Sequence, residues 1–294
     1  MRKRGFTLVE LLVVISIIAV LLAVLLPSLN KAKLQATAIV CSFHVRTLSM
    51  AWCLYAGENS EKIVGAHTWL GGQNSVSGKY YEKAGYFTNR AYLEAVTSNI
   101  KPNYLTCWVE WPQRENGYAI SKDPTMEEEI RGVKGGLLFP YTGKKYEVYH
   151  CPSDKRIIEK GNNKGGYRSY SIAGSMDGFF ARTGVDPVKT IKKTTQISIP
   201  SNKYVFVEER WLGSPGYNFD GWQLLPTGDD WTDPVSIAHG NKSILGFADG
   251  HTKAIKWQDK RTIQLSNSIN GNVPKNQPDN PDLKYMQQGW AIGK

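Results

Sequence analysis

Residues 1–30 read MRKRGFTLVELLVVISIIAVLLAVLLPSLN, and the fold depends on how this stretch is taken. From Phe6 to Leu26, only Thr7, Glu10 and Ser16 interrupt an apolar run. At ~1.5 Å per residue, a helix of that length crosses the ~30 Å hydrocarbon core of a bilayer. Arg2, Lys3 and Arg4 precede the run and no acid does. Cations flanking a span stay on the cytoplasmic side, so the rest of the chain is expected beyond the membrane. A cleaved secretory signal ends its apolar stretch in a small-x-small site. This one ends in Leu25-Leu26-Pro27-Ser28 and continues into helix-compatible sequence. The reading is an anchor that is retained.

Outward from the anchor, Pro27 should bend the helix at the membrane exit without ending it, since proline removes one rung of the hydrogen-bond ladder. Residues 28–56 contain neither Pro nor Gly. Ala36, Val40, Phe43, Thr47, Met50, Ala51 and Leu54 recur at three- and four-residue steps, which predicts the buried stripe of a second helical half. Lys31, Lys33, His44 and Arg46 fall on the other face, and Gly57 marks the stop. One helix from Phe6 to Ala56 would be ~75 Å long, half in lipid and half packed on a globular head.

Glu10 stands four residues into the apolar run, where a carboxylate costs ~2.5–3.5 kcal/mol or more in a bilayer. It can snorkel, protonated, to the headgroups, or it can await a positive partner from another chain. Gly5-Phe6-Thr7-Leu8-Val9-Glu10 behind a short basic leader resembles the processing signal of type IV prepilins, a family that includes pilins and the pseudopilins of type II secretion. The resemblance implies cleavage between Gly5 and Phe6 by prepilin peptidase and N-methylation of Phe6. It also implies that Glu10 neutralises a neighbouring subunit's amine during filament assembly, and it matches Pro27 to a helix-kinking proline.

The domain reading is then a leader over 1–5, a membrane-spanning half-helix over 6–26, a soluble half over 27–59, and a head over 60–294. Composition is that of a folded protein: 41% hydrophobic and 21% charged, with 9 Trp and 15 Tyr. The net charge is +10, and the leader's three cations account for part of it. The remaining excess is dispersed over pairs such as Lys144/Lys145 and Lys192/Lys193, so no nucleic-acid partner is expected. No glycine-rich phosphate loop of the Walker or dinucleotide kind is present.

The head reads as α+β, the long helix lying on an antiparallel sheet with irregular loops. A helix is expected around Asn89–Ser98, and another from Asp123-Pro124 through the acidic run Glu127–Glu129, taken as a charged helix start. Tyr146–His150 alternates like a short strand, ended by Pro152. Tyr170–Ala173 and Tyr204–Glu209 are strand-like. Ser243–Phe247 and Thr252–Trp257 flank Ala248-Asp249-Gly250-His251, a hairpin signal because Gly accepts positive φ and Asp tolerates it. The tail after Lys260 reads as an irregular wrap tied down by Trp290.

Cysteines occur at 41, 53, 107 and 151, with no C-x-x-C pair to suggest zinc or a thioredoxin-like motif. Cys41 and Cys53 lie ~18 Å apart along one helix and cannot pair, because a disulfide needs Cα atoms within ~7 Å. Cys107–Cys151 and Cys41–Cys151 are the disulfide candidates. His150 beside Cys151 is a poor base for it, since strand neighbours face opposite ways.

His239, nine intervening residues, then Asp249-Gly250 resembles the C-terminal motif of a bacterial group of prepilin-like proteins. YHCPSD (149–154), RSYS (168–171) and the helix end AWCLYAGEN (51–59) are also similar to that group. No reaction comes with that likeness. A zinc site from His239, Asp249 and His251 is weaker than hairpin packing, because Asp249 sits in the turn and its backbone competes for its oxygens. Some pseudopilins hold calcium in an acidic loop; Asp229/Asp230/Asp233 and Asp279/Asp282 are the candidates, each short of the six to eight oxygens calcium takes. The functional expectation is a structural filament subunit with membrane lipid, prepilin peptidase and like subunits as partners. The alternative is a tethered glycan-binding protein whose Trp and Tyr side chains stack on sugars. No constellation of base, orienting group and oxyanion site suggests an enzyme.

Overall fold

The computed structural model describes residues 7–66, 68, 107–110, 112, 115, 124–156, 166–177, 190–210, 218, 221–268 and 273–292. The Gly5-Phe6 junction, the helix expected around Asn89–Ser98, and Asp123 lie outside them.

Helix α1 spans Leu8–Glu58, 51 residues passing unbroken through Pro27. It passes Gly57 and stops at Glu58, where the Asn59 N–H bonds the carbonyls of Tyr55 and Ala56. Ser60 and Glu61 then turn the chain away with positive φ. From Leu8 to Leu29 no residue is buried. Among the described residues this is the one helix long and apolar enough to cross a membrane.

The second half of α1 is amphipathic, but not with the expected phase. Cys41, Val45, Leu48, Trp52 and Ala56 are buried, together with Ser49 and Ala51. Val40, Phe43, Met50 and Leu54 are exposed, at 41–66% of their surface. The helix carries two apolar stripes at helical spacing, and the stripe with the bulky Trp52 meets the sheet. Each fully buried side chain of this size contributes about 1.5–3 kcal/mol, so the face that meets more apolar partners wins.

Four strands form one antiparallel sheet in the order β1-β2-β3-β4: β1 Tyr170–Ile172, β2 Tyr204–Glu208, β3 Lys242–Phe247 and β4 Thr252–Lys256. The hairpin is where the sequence placed it, with Leu245 opposite Lys253 and Gly250 at φ 88° in the turn. Alternation along β3 sends Ile244 toward α1 and Leu245 and Phe247 to the other face. Gly246 faces α1 so closely that a Cβ there would lie 2.2 Å from Ser49 Oγ. A register shift between Tyr204 and Phe206 directs both Val205 and Phe206 into the α1-side core.

The face away from α1 is covered by the tail. It is not the irregular wrap expected: α3 (Lys260–Asn267) and α4 (Pro281–Gly289) pack Leu265, Leu283 and Met286 against it, with Trp290 behind them. Asp259 and Asn280 cap these helices, and Pro281 occupies the first turn, where its missing N–H is harmless. Ahead of the sheet, α2 spans Met126–Gly135. Thr125 is its N-cap and Glu128 completes a capping box, so it starts two residues later than Pro124 suggested. Tyr146–Tyr149 is a 3-10 turn rather than a strand; Val148 and Tyr149 are both buried, which a half-buried strand does not allow.

Candidate functional site

Two features stand apart from ordinary core packing. The first is the start of α1. Thr7 adopts an extended N-cap conformation, and its hydroxyl accepts from the Glu10 N–H at 3.3 Å. Glu10 Oε2 reaches back to the Thr7 N–H at 2.9 Å and hydroxyl at 2.8 Å. The carboxylate in the apolar run is thereby oriented toward the N-terminal end of the helix. Farther along, Ser16 and Ser28 donate their hydroxyls to Val13 and Leu25 carbonyls, so neither adds an unpaired polar group to the apolar surface.

The second feature lies under the sheet. Cys41 comes from α1, Cys151 from the segment after the 3-10 turn, Glu208 from the end of β2, and His239 from the turn before β3. All four are buried, and one ligand-type atom from each falls within 4.8 Å of all the others. Cys41 Sγ lies 2.9 Å from Cys151 Sγ, Cys151 Sγ 3.4 Å from His239 Nε2, and His239 Nε2 3.2 Å from Glu208 Oε1. Burial disfavours the His239 imidazolium, yet the adjacent Cys41 and Glu208 side chains outweigh it and lift its pKa to about 10. The bond to Cys151 draws the Cys41 thiol down to about 7 against burial, while burial and the neighbouring Cys41 push Cys151 far up.

The sequence-level candidates divide accordingly. Of the two disulfide candidates, the structure brings together Cys41 and Cys151, both thiols; Cys107 is buried elsewhere, bridging Gly65. His150 turns its Nδ1 to the Tyr167 carbonyl at 2.7 Å, and it is His239 that meets Cys151. His239 and Asp249 do not share a site: Asp249 pairs with His251 at 2.5 Å in the exposed turn. Asp282 accepts from the backbone N–H groups of Gln258 and Asp259, Asp233 accepts from that of Gln223, and Asp279 pairs with Lys284. Trp52, Trp108, Trp222, Trp231, Trp257 and Trp290 are at most 2% exposed, so these six are core rather than a stacking platform.

Residues 1–26 match the family described as the prokaryotic N-terminal methylation motif. The chain is type IV pilin-like. It is also similar to a fimbrial protein of Neisseria meningitidis serogroup B (strain ATCC BAA-335 / MC58), 27% identical over 173 residues, 52% of this chain and 94% of that protein. No solved structure matches. The family match of the pilin-like chain ends at residue 26, so the buried cysteine, histidine and glutamate cluster is described by geometry alone.

Proposed function

We propose that this chain is a membrane-anchored, pilin-type filament subunit, most like a pseudopilin of type II secretion. Prepilin peptidase cuts between Gly5 and Phe6, Phe6 is N-methylated, and the Phe6–Leu26 segment holds the mature chain in lipid. The head stands beyond the membrane, and subunits assemble through α1. The observation that carries this reading is the division of one continuous helix. Its Leu8–Leu29 part has no protein cover, while its Cys41–Ala56 part is the core of the head. Such a helix delivers an apolar rod to lipid or to other rods, rigidly attached to a folded body. Glu10 is the one carboxylate on that rod, placed to meet the amine of a neighbour displaced along the filament.

Mass spectrometry of the mature N-terminus, with electron microscopy of sheared material, tests the proposal. The expected result is a chain beginning at methylated Phe6 and present in filaments. A chain beginning at Met1, or cut after Ala23, overturns it.

A further inference from the structure

We propose that Cys41, Cys151, His239 and Glu208 form a buried tetrahedral site for one zinc ion, fastening α1 to the sheet.

The donor set is the first argument. Two thiolates, one imidazole and one carboxylate suit zinc, a borderline-soft ion that is four-coordinate in structural sites. Zinc–ligand bonds of ~2.0–2.3 Å hold adjacent donor atoms roughly 3.3–3.8 Å apart. The Cys151–His239 separation, 3.4 Å, already has that spacing, and the His239–Glu208 separation, 3.2 Å, falls just short of it. The sulfurs, 2.9 Å apart, have to open by roughly 1 Å to admit the ion, which side-chain rotation supplies.

The surroundings are the second argument, because metal ligands are held by outer hydrogen bonds. His239 Nδ1 lies 3.4 Å from Ser153 Oγ, whose own hydrogen goes to Thr37 Oγ1 at 2.8 Å. With that hydroxyl committed to Thr37, Nδ1 donates to Ser153, so it is Nε2 that gives up its proton to a metal and turns a lone pair toward the sulfurs. The backbone N–H of the same Ser153 donates to Cys151 Sγ at 3.4 Å, a contact that favours a thiolate. Glu208 Oε2 accepts from the Ile244 N–H at 3.0 Å, which fixes the carboxylate. Its Oε1 is buried and faces His239 without the geometry of a hydrogen bond.

Charge is the third. A disulfide between Cys41 and Cys151 would engage two of the four groups and leave Glu208 Oε1 as before. Zinc engages all four. Binding displaces the thiol protons and any second proton on His239, and two positive charges then face two thiolates and one carboxylate. Residues 41, 151, 208 and 239 come from four segments far apart in the chain, so the ion closes long loops that packing alone must otherwise close.

The test uses the full chain in detergent, reduced, stripped with chelator and titrated with Co²⁺, then Zn²⁺. The expected result is saturable binding of one Co²⁺ per chain, with thiolate-to-cobalt charge transfer and the intense visible bands of a tetrahedral site, bleached by Zn²⁺. Ser153→Ala keeps all four ligands and should weaken Co²⁺ roughly 10–100-fold while leaving the band positions in place. Glu208→Gln should weaken it at least as much with the charge-transfer band retained, and Cys41→Ser should remove much of that band. Asp249→Asn, in the turn outside the cluster, should bind like the parent. A folded, reduced parent chain that shows no saturable tetrahedral cobalt spectrum overturns the site. So does a chain isolated with a Cys41–Cys151 disulfide that takes up no Co²⁺ after reduction.

Discussion

Glu10 and Thr7 close on each other across the first turn of α1, each side chain bonding the other's backbone N–H. The carboxylate proposed to meet a neighbouring subunit therefore has a partner inside its own chain, and assembly exchanges one for the other. In a low-dielectric setting that exchange favours a full positive charge over two neutral donors.

Glu10→Val is accordingly expected to insert and be cleaved like the parent while the ratio of sheared polymer to mature membrane-bound monomer falls several-fold. Glu10→Asp, one methylene shorter, should fall between them. Thr7→Val removes the hydroxyl, one of Glu10's two local donors, and should leave polymer at or above the parent level. If Glu10→Val polymerises like the parent, the carboxylate is not part of an assembly contact.

Gly246 brings β3 into close contact with α1. A Cβ there would lie 2.2 Å from Ser49 Oγ and 2.8 Å from Val45 Cγ1. Gly246→Ala is expected to destabilise the head by about 1–3 kcal/mol, the range for overpacking a filled core. Ser49→Ala on the same chain should recover part of the loss, because the nearest atom is gone. Denaturant midpoints of the single and double variants check this; equal losses would place the strain elsewhere.

Arg156 is buried and bonds both oxygens of Asp154, the Asn218 side chain and the Arg168 carbonyl. Burial works against the Asp154 carboxylate, and the guanidinium more than offsets it, holding its pKa below the usual range. Asp154→Asn removes the carboxylate that pairs with a buried guanidinium and should cost about 3–5 kcal/mol. Replacing both residues with apolar side chains of similar volume should cost less than the single change, as read from the same unfolding midpoints.

His44 donates its Nδ1–H to the His150 carbonyl at 2.9 Å in a half-buried position. Burial disfavours its imidazolium more than that hydrogen bond favours it; nearby His150 adds to the depression and Glu147 opposes it, so its pKa lies below 6.5. The unfolded chain then binds the proton more readily than the folded one. His44 therefore contributes stability that is present above pH 6.5 and lost as pH falls below it. His44→Asn keeps a donor without the titration, and its melting temperature should decline less between pH 6.5 and pH 5 than the parent's. Parallel declines would refute the assignment.

Much of this was legible in the chain. The unbroken apolar run gave the first half of α1, and the lack of Pro or Gly over 28–56 gave the second. Asp249-Gly250 between two β-rich runs gave the hairpin. Which side of α1 meets the sheet was not legible, because 40/43/47/50/54 and 41/45/48/52/56 both have helical spacing. Only the tertiary partners distinguish them. The Asp259 and Asn280-Pro281 cap signals were present in the tail but masked by its polarity. The buried cluster could be read only in part: Cys41–Cys151 was a disulfide candidate and His239 belonged to the C-terminal motif, but Cys41, Cys151, Glu208 and His239 lie on four elements, and no local spacing joins all four. Of the four, Glu208 is the one the sequence did not single out, since it reads only as a charge ending an otherwise apolar strand.

The placement of α1 against β2, β3 and β4 sets an order of events during synthesis. The inner face of the helix, ending at Ala56, leaves the ribosome about 200 residues before β4 is complete at Lys256. At roughly 5–20 residues per second, Val45, Leu48 and Trp52 wait on the order of 10–40 s for the strands that cover them. Throughout that interval the nascent chain displays two greasy surfaces, one destined for lipid and one for its own last third. A holding factor that shields the second without engaging the first would serve it better than one that binds any apolar helix.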